Sequence, residues 1–213
     1  MPNGMRLGLQ ALVWDESEAN MSYRPKILAF AGSTRKDSFN KKLVAVVAQA
    51  ARAAGADVNL IDLKEFGLPV YDGDDEAAHG LPDNARKLKQ LFLAHDGLLI
   101  SSPEYNGSYP GGLKNVFDWV SRPVAGGKPL AEFEGKVCAI MAASPGALGG
   151  MRMLPILRLL LSGLLVTVIP EQLALGTAKE AFNEDGTIKD AAKHKSAAAL
   201  GEKVAMMITR LKS

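Results

Sequence analysis

The chain has 213 residues, enough for one domain with a sizeable core and too few for two ordinary ones. Hydrophobic residues at 47% and charged residues at 23% exclude a disordered, collagenous or disulfide-stapled chain. The formal charge of +2, from 25 basic and 23 acidic residues, lacks the excess of a nucleic-acid binder, so no nucleic-acid partner is expected.

Residues 1–24 show no clear period and read as a loose N-terminal extension or an over-long start, to which the sequence assigns no function. Arg6 before Leu7–Trp14 faintly suggests a secretory signal, but Asp15, Glu16 and Glu18 follow and no Ala-x-Ala site appears. The lone Cys138 sits in an apolar run and cannot pair internally, which points to a cytoplasmic location.

From Lys26 onward short apolar runs alternate with longer helical ones, the pattern of a parallel sheet with crossover helices, and residues 25–213 read as one domain. A strand is expected at Lys26–Ala31 and a helix at Lys41–Ala54, with Leu43, Val46, Val47 and Ala50 on one face and Gly55 ending it. A second strand follows at Asp57–Ile61. Gly67–Asp83, rich in Gly, Pro and Asp, reads as a surface loop, and Asn84–Ala94 as a helix with Leu88 and Leu91 inward. A third strand is expected at Gly97–Ser101, a helix at Gly111–Val120 and a fourth strand at Lys136–Ala142. Leu154–Ile169 is broken by Pro155, Arg158 and Gly163 and is too short to span a bilayer, so it reads as a buried helix running into a fifth strand at Leu164–Ile169. The last helix, from about Lys189 to Leu211, is expected to turn Ala198, Val204, Ile208 and Leu211 inward. These elements fit a doubly wound α/β fold with strand order 2-1-3-4-5, whose switch point gathers the loops after strands one, three and four.

Those loops carry the candidate chemistry. Gly32–Asn40 lacks both the dinucleotide fingerprint and the P-loop ending, yet it places hydroxyls, Arg35 and Asn40 around a helix N-terminus. Two readings fit it: a monophosphate cradle built from Ser33, Arg35, Ser38 and Asn40, or Ser38 or Asn40 acting only as a helix cap. Ser102–Gly112 is a stiff Pro/Gly path with two tyrosines, suited to the edge of a flat heteroaromatic ring or simply linking strand to helix. Ser144–Gly150 lets the main chain approach a ligand at a helix N-terminus, or makes a tight turn.

The segment Gly32-Ser-Thr-Arg-Lys-Asp-Ser-Phe-Asn40, with Ser102-Pro-Glu-Tyr-Asn-Gly-Ser-Tyr-Pro-Gly-Gly-Leu-Lys-Asn-Val-Phe-Asp-Trp-Val-Ser-Arg122, resembles the NADPH-dependent FMN reductase family, in particular its quinone and chromate reductase branch. The resemblance runs from about Lys26 to the end. It implies a flavodoxin-like fold, with Ser33, Arg35, Ser38, Phe39 and Asn40 on the FMN phosphate and Pro103, Glu104, Tyr105, Asn106 and Gly107 along the isoalloxazine. The third loop, through Ser144, Gly146 and Gly149, would approach the pyrimidine side. It further implies NADPH or NADH as co-substrate and a homodimer or homotetramer, and residues 1–24 have no counterpart in the family pattern, which leaves their role open.

The implied activity passes hydride from NAD(P)H through bound FMN to a quinone-like, azo, chromate or free flavin acceptor by a ping-pong mechanism, with no catalytic side chain. A flavodoxin-like electron carrier or redox sensor is the alternative, but such carriers are strongly acidic and this chain is not. His79, His95 and His194 lack metal spacing, and Asp72–Glu76 lacks the glycine of a calcium loop and reads as a solvated loop. No nucleophile elbow is present, and Cys138 reads as a packing residue. The helix after Gly111 places Phe117 and Trp119 on nearly opposite sides, and Leu154–Leu161 is apolar nearly all round, which suggests an oligomer interface or plain burial.

Overall fold

The computed structural model describes residues 23–124 and 126–212. Residues 1–22, most of the expected extension, lie outside the described residues. Tyr23 is already part of the folded body, where its hydroxyl donates to Asp96 Oδ2 at 2.7 Å. The elements are β1 (Lys26–Ala31), α1 (Phe39–Ala53), β2 (Asp57–Ile61), a 3-10 turn (Leu63–Phe66), α2 (Gly73–His79), α3 (Asp83–Ala94), β3 (Gly97–Ser101), α4 (Gly111–Val120), β4 (Val137–Ala143), α5 (Met153–Gly163), β5 (Thr167–Leu175) and α6 (Ala191–Lys212). All strand pairs are parallel, in the order β2-β1-β3-β4-β5, which is the doubly wound arrangement expected.

Side chains alternate across the sheet as strand geometry requires. Ile27, Ala29, Leu99, Ala139 and Met141 face α1 and α6, whereas Leu28, Phe30, Leu98, Ile100, Cys138 and Ile140 face α3, α4 and α5. Both faces are covered, so β1, β3 and β4 are buried almost throughout and read as continuous apolar runs. Burial pushes the Cys138 thiol far up from its ordinary range, which suits an inert packing residue. No helix among the described residues is long and apolar enough to cross a membrane.

Several expectations are corrected. The acidic stretch after Gly67 is solvated but not all loop: Asp72 caps α2 by accepting from the N–H groups of Asp74 and Asp75 at 2.8 and 3.3 Å. Asp74, Asp75 and Glu76 at the positive end and His79 at the negative end complement its dipole. The fifth strand starts later than expected because Leu164 still caps α5 and Leu165 turns with φ +66°. It also runs on through Pro170 to Leu175, since an edge strand tolerates a missing donor at an irregularity in the β4–β5 register. Arg158 donates to the carbonyls of Val168 at 3.1 Å and Ile169 at 2.8 Å there. The buried stripe of α6 is rotated to Ala197, Leu200, Gly201, Val204, Ala205 and Ile208, leaving Leu211 exposed. Gly201 sets that rotation: a Cβ on it would lie 2.3 Å from Val47 O of α1.

Trp119 is not left for a partner to cover. Residues 69–71 fold back over α4, so that Trp119 Nε1 donates to Pro69 O at 2.9 Å and its ring meets Tyr71 edge-on at 5.0 Å. The expectation of surplus apolar surface survives only on α5, where Leu154, Leu157 and Leu161 are buried while Ile156 and Leu159 face outward.

Candidate functional site

The switch-point geometry brings the loops after β1, β3 and β4 together. A cavity of about 80 Å³ is lined by Ser33, Arg35, Ser38, Phe39, Asn40, Pro103, Glu104, Tyr105 and Ser144, together with Ala143 and Pro145. Glu104 and Ser144 are shared with a wider cleft of about 320 Å³, whose wall includes Asn106, Gly146 and Gly149. Among the residues singled out in the sequence, Asn106 and Gly107 form a tight turn. Asn106 and Gly107 have φ +51° and +81°, and the N–H groups of Tyr105 and Ser108 donate to each other's carbonyls at 2.8 and 3.1 Å. A turn with both central φ positive is where Asn-Gly is favoured.

The first loop divides its residues between structure and binding. Ser38 is the N-cap of α1 and its Oγ accepts from Asn40 N–H at 3.2 Å, so the capping reading holds, yet the hydroxyl proton is still available to a ligand. Asn40 is buried and joins the loop ends: its Oδ1 accepts from Ser101 Oγ–H and Ala143 N–H, both at 2.9 Å, and its Nδ2 donates to Ala143 O at 2.9 Å. The Phe39 ring stacks on Phe182 with centroids 6.5 Å apart and planes 2° apart, so what Phe39 offers the cavity is its backbone N–H. That N–H heads the helix at N1 and has no partner among the described residues. Arg35 is exposed, and its guanidinium has no partner among the described residues.

The third loop is held close to β5. Gly149 has φ +63°, and a Cβ there would lie 2.6 Å from Gly176 N. Ser144 Oγ accepts from Gly146 N–H at 3.3 Å, which turns the chain away from β4. One charged residue of this site was missed in the sequence. Arg152, immediately before α5, reaches back to Glu104, donating from its backbone N–H at 3.1 Å and from Nε at 2.7 Å, and it pairs there through Nη2 as well. The helical spacing of Met151–Leu161 gave no sign of this, because the partner lies on another loop.

The donor set fits the anionic end of a flavin mononucleotide. An arginine, two serine hydroxyls and a helix N-terminal N–H converge on a cavity of small-anion size, which continues into a broader cleft walled by backbone and glycine. A separate cleft of about 510 Å³ lies on the other side of Ser33 and Tyr105, between Lys64, Leu68 and the start of α4. Of the groups whose proton affinity the fold moves, Tyr23, Asp96 and Lys136 lie at the opposite, N-terminal edge of the sheet, whereas Asp62 follows the carboxyl end of β2, where, against the raising effect of burial, its hydrogen bond with Lys41 holds its carboxyl below the usual range. Among the described residues no cluster of His, Cys, Asp or Glu is suited to a metal ion.

The chain is similar to a 2-hydroxy-1,4-benzoquinone reductase of Burkholderia sp., 43% identical over 128 residues, which is 58% of this chain and 63% of that relative. It therefore spans less than two thirds of that protein. An NAD(P)H-dependent FMN reductase of Pseudomonas aeruginosa is 35% identical over 173 residues, 80% of this chain and 88% of the relative. Among solved structures, the flavoenzyme NAD(P)H:(acceptor) oxidoreductase FerB from Paracoccus denitrificans matches with a TM-score of 0.74 at 28% identity, covering 86% of this chain and 97% of that one. The sequence profile described as NADPH-dependent FMN reductase matches residues 25–180, a span that holds all three converging loops, and the chain belongs to that family.

Proposed function

We propose that the protein is an FMN-dependent NAD(P)H oxidoreductase that reduces a small diffusible acceptor, of the quinone, azo, chromate or free flavin class, by a ping-pong sequence. The observation that carries this reading is the joining of an anion-sized cavity, with Arg35, Ser33, Ser38 and the Phe39 N–H on it, to a wider cleft between the Tyr105 and Gly149 loops. Bound flavin would supply the chemistry of accepting and giving up a hydride. Arg35, Ser33 and Ser38 would hold its phosphate, and Asn40 keeps the β3 and β4 loop ends at fixed separation. Half-exposed Tyr105, with Pro103, Glu104 and Asn106, would border the ring, and the backbone of Ser144, Gly146 and Gly149 would lie at its polar edge. No side-chain acid or base is required, and the open cleft leaves room for two reactants in turn.

We assign the outer face of α5, with Ile156 and Leu159 exposed, together with exposed Leu148 and Met151 of the segment that leads into it, to a homodimer or homotetramer contact, and place the protein in the cytoplasm. Light scattering that gives a monomer at micromolar concentration removes the assembly.

The test of the activity is titration of the flavin-free protein with FMN and with riboflavin. The cradle predicts that FMN binds at least about tenfold more tightly, since a charge-assisted phosphate contact is worth roughly 1.5–3 kcal/mol. The holoprotein should then bleach rapidly with NADPH in the absence of oxygen and give parallel double-reciprocal plots. Failure to take up FMN overturns the whole reading. Kinetics requiring both substrates bound together overturn the ping-pong sequence.

A further inference from the structure

The wider cleft contains a cation to which the cradle gives no role. Of its lining residues only Glu104 and Arg152 are ionisable; the remainder are Asn106, Ser144 and apolar or glycine positions. The Glu104 side chain is 7% exposed, and Arg152 occupies both its oxygens: Oε2 accepts the backbone N–H, and Oε1 accepts Nε–H and pairs with Nη2. The Arg152 side chain is itself 66% exposed. A surface arginine ordinarily samples many rotamers and loses that freedom when it binds anything. Here a nearly buried carboxylate already fixes the inner edge of the guanidinium, while the outer Nη hydrogens have no partner among the described residues. The result is a preorganised donor fork at the mouth of an otherwise uncharged cleft.

Arg35 lines the small cavity and is absent from the walls of the wider cleft, so in the flavin-reductase reading it is committed to the cofactor. The dinucleotide brings negative charge into the wider cleft in every turnover, whereas the acceptor does so only when it is itself an anion such as chromate, and a quinone can be neutral. We infer that Arg152 is the specificity-determining residue for a phosphate group of the dinucleotide co-substrate, with Glu104 as its positioning residue. This inference rests on the reading under Proposed function. Because the guanidinium is largely exposed, screening reduces the effect to about tenfold in affinity and makes it salt-dependent.

The test uses FMN-loaded protein and calorimetric titration with NADP+ and NAD+, the oxidised forms, so that binding is read without turnover. Arg152→Gln should weaken binding about tenfold at low salt, Arg152→Lys by less, and the difference should shrink in raised salt. Glu104→Gln, which releases the fork without removing it, should cost about threefold. A loss confined to NADP+ assigns the ribose phosphate, and an equal loss for both assigns the pyrophosphate. In steady state the Arg152→Gln loss should fall mainly on the KM of the dinucleotide, while Arg86→Gln on the outer surface of α3 should behave as wild type. Unchanged dinucleotide binding in flavin-loaded Arg152→Gln overturns the inference, whether nothing else changes or only the KM of a sulfonated quinone rises. Wild-type protein that takes up no FMN defeats the parent reading instead, so the two failures are distinguishable.

Discussion

Replacing Asn40 by alanine removes the hydrogen bonds that tie α1 to the ends of β3 and β4. The side chain accepts from Ser101 Oγ–H and Ala143 N–H and donates to Ala143 O, each at 2.9 Å. Ser101 and Ala143 are 0% and 2% exposed, so water cannot replace the lost partner without the loops opening. Each orphaned buried group costs roughly 1–3 kcal/mol, and with partial relaxation we expect roughly 3 kcal/mol in total. The neighbouring Ser38→Ala removes only one cap bond and should cost about 1 kcal/mol. Urea unfolding of the flavin-free proteins separates these values from any change in ligand binding, and Asn40→Ala should melt lower by roughly 6–12 °C for a domain of this size. Asn40→Asp is the sharper variant. It keeps the acceptor but turns a second carboxylate oxygen toward Ala143 O in a buried site, so it should be at least as damaging. An Asn40→Ala midpoint no lower than that of Ser38→Ala would refute the reasoning.

Gly149→Ala should destabilise by roughly 1–3 kcal/mol, measured by urea titration, because its φ is +63° and a Cβ would strike Gly176 N at 2.6 Å; a neutral result would mean that the loop can shift freely. Trp119→Ala should cost roughly 3–5 kcal/mol and expose Tyr71 to solvent, which quenching of tyrosine fluorescence can follow. The pH dependence turns on Lys136, whose burial lowers its pKa from 10.5 to about 8. Between those values the unfolded chain binds more protons than the folded one, so stability should rise with pH from about 8 upward. Above 10 the sign reverses for Tyr23. Its hydrogen bond to Asp96 raises its pKa from 10.0 to about 12, so the unfolded chain ionises first and stability falls. Urea midpoints at stepped pH should therefore climb and then drop, and Lys136→Met should abolish the climb; a climb that persists in that variant removes Lys136 as its source.

How legible each element was in the sequence follows from where its stabilising contacts lie. The strands β1 to β4 and the helices α1, α3 and α4 bury an apolar face against the sheet, and that burial writes its own period into the chain. The short helix α2 buries nothing and left no period. Only its cap and charges mark it, and these look the same in a loop. The start of β5 was misplaced because an apolar run through Leu164–Ile169 suits a helix end as well as a strand.

The sequence by itself determined the layering, the strand order and therefore which loops meet, because crossover handedness and apolar periodicity leave few alternatives. Only the tertiary structure decided which residues of those loops hold the scaffold and which remain open to a ligand. Asn40 faces Ala143 across 103 residues, Glu104 finds Arg152 across 48, and Trp119 is covered by Pro69 from 50 residues away. Short polar side chains carry no periodic signature, and their partners are chosen by the distances that the packed sheet imposes.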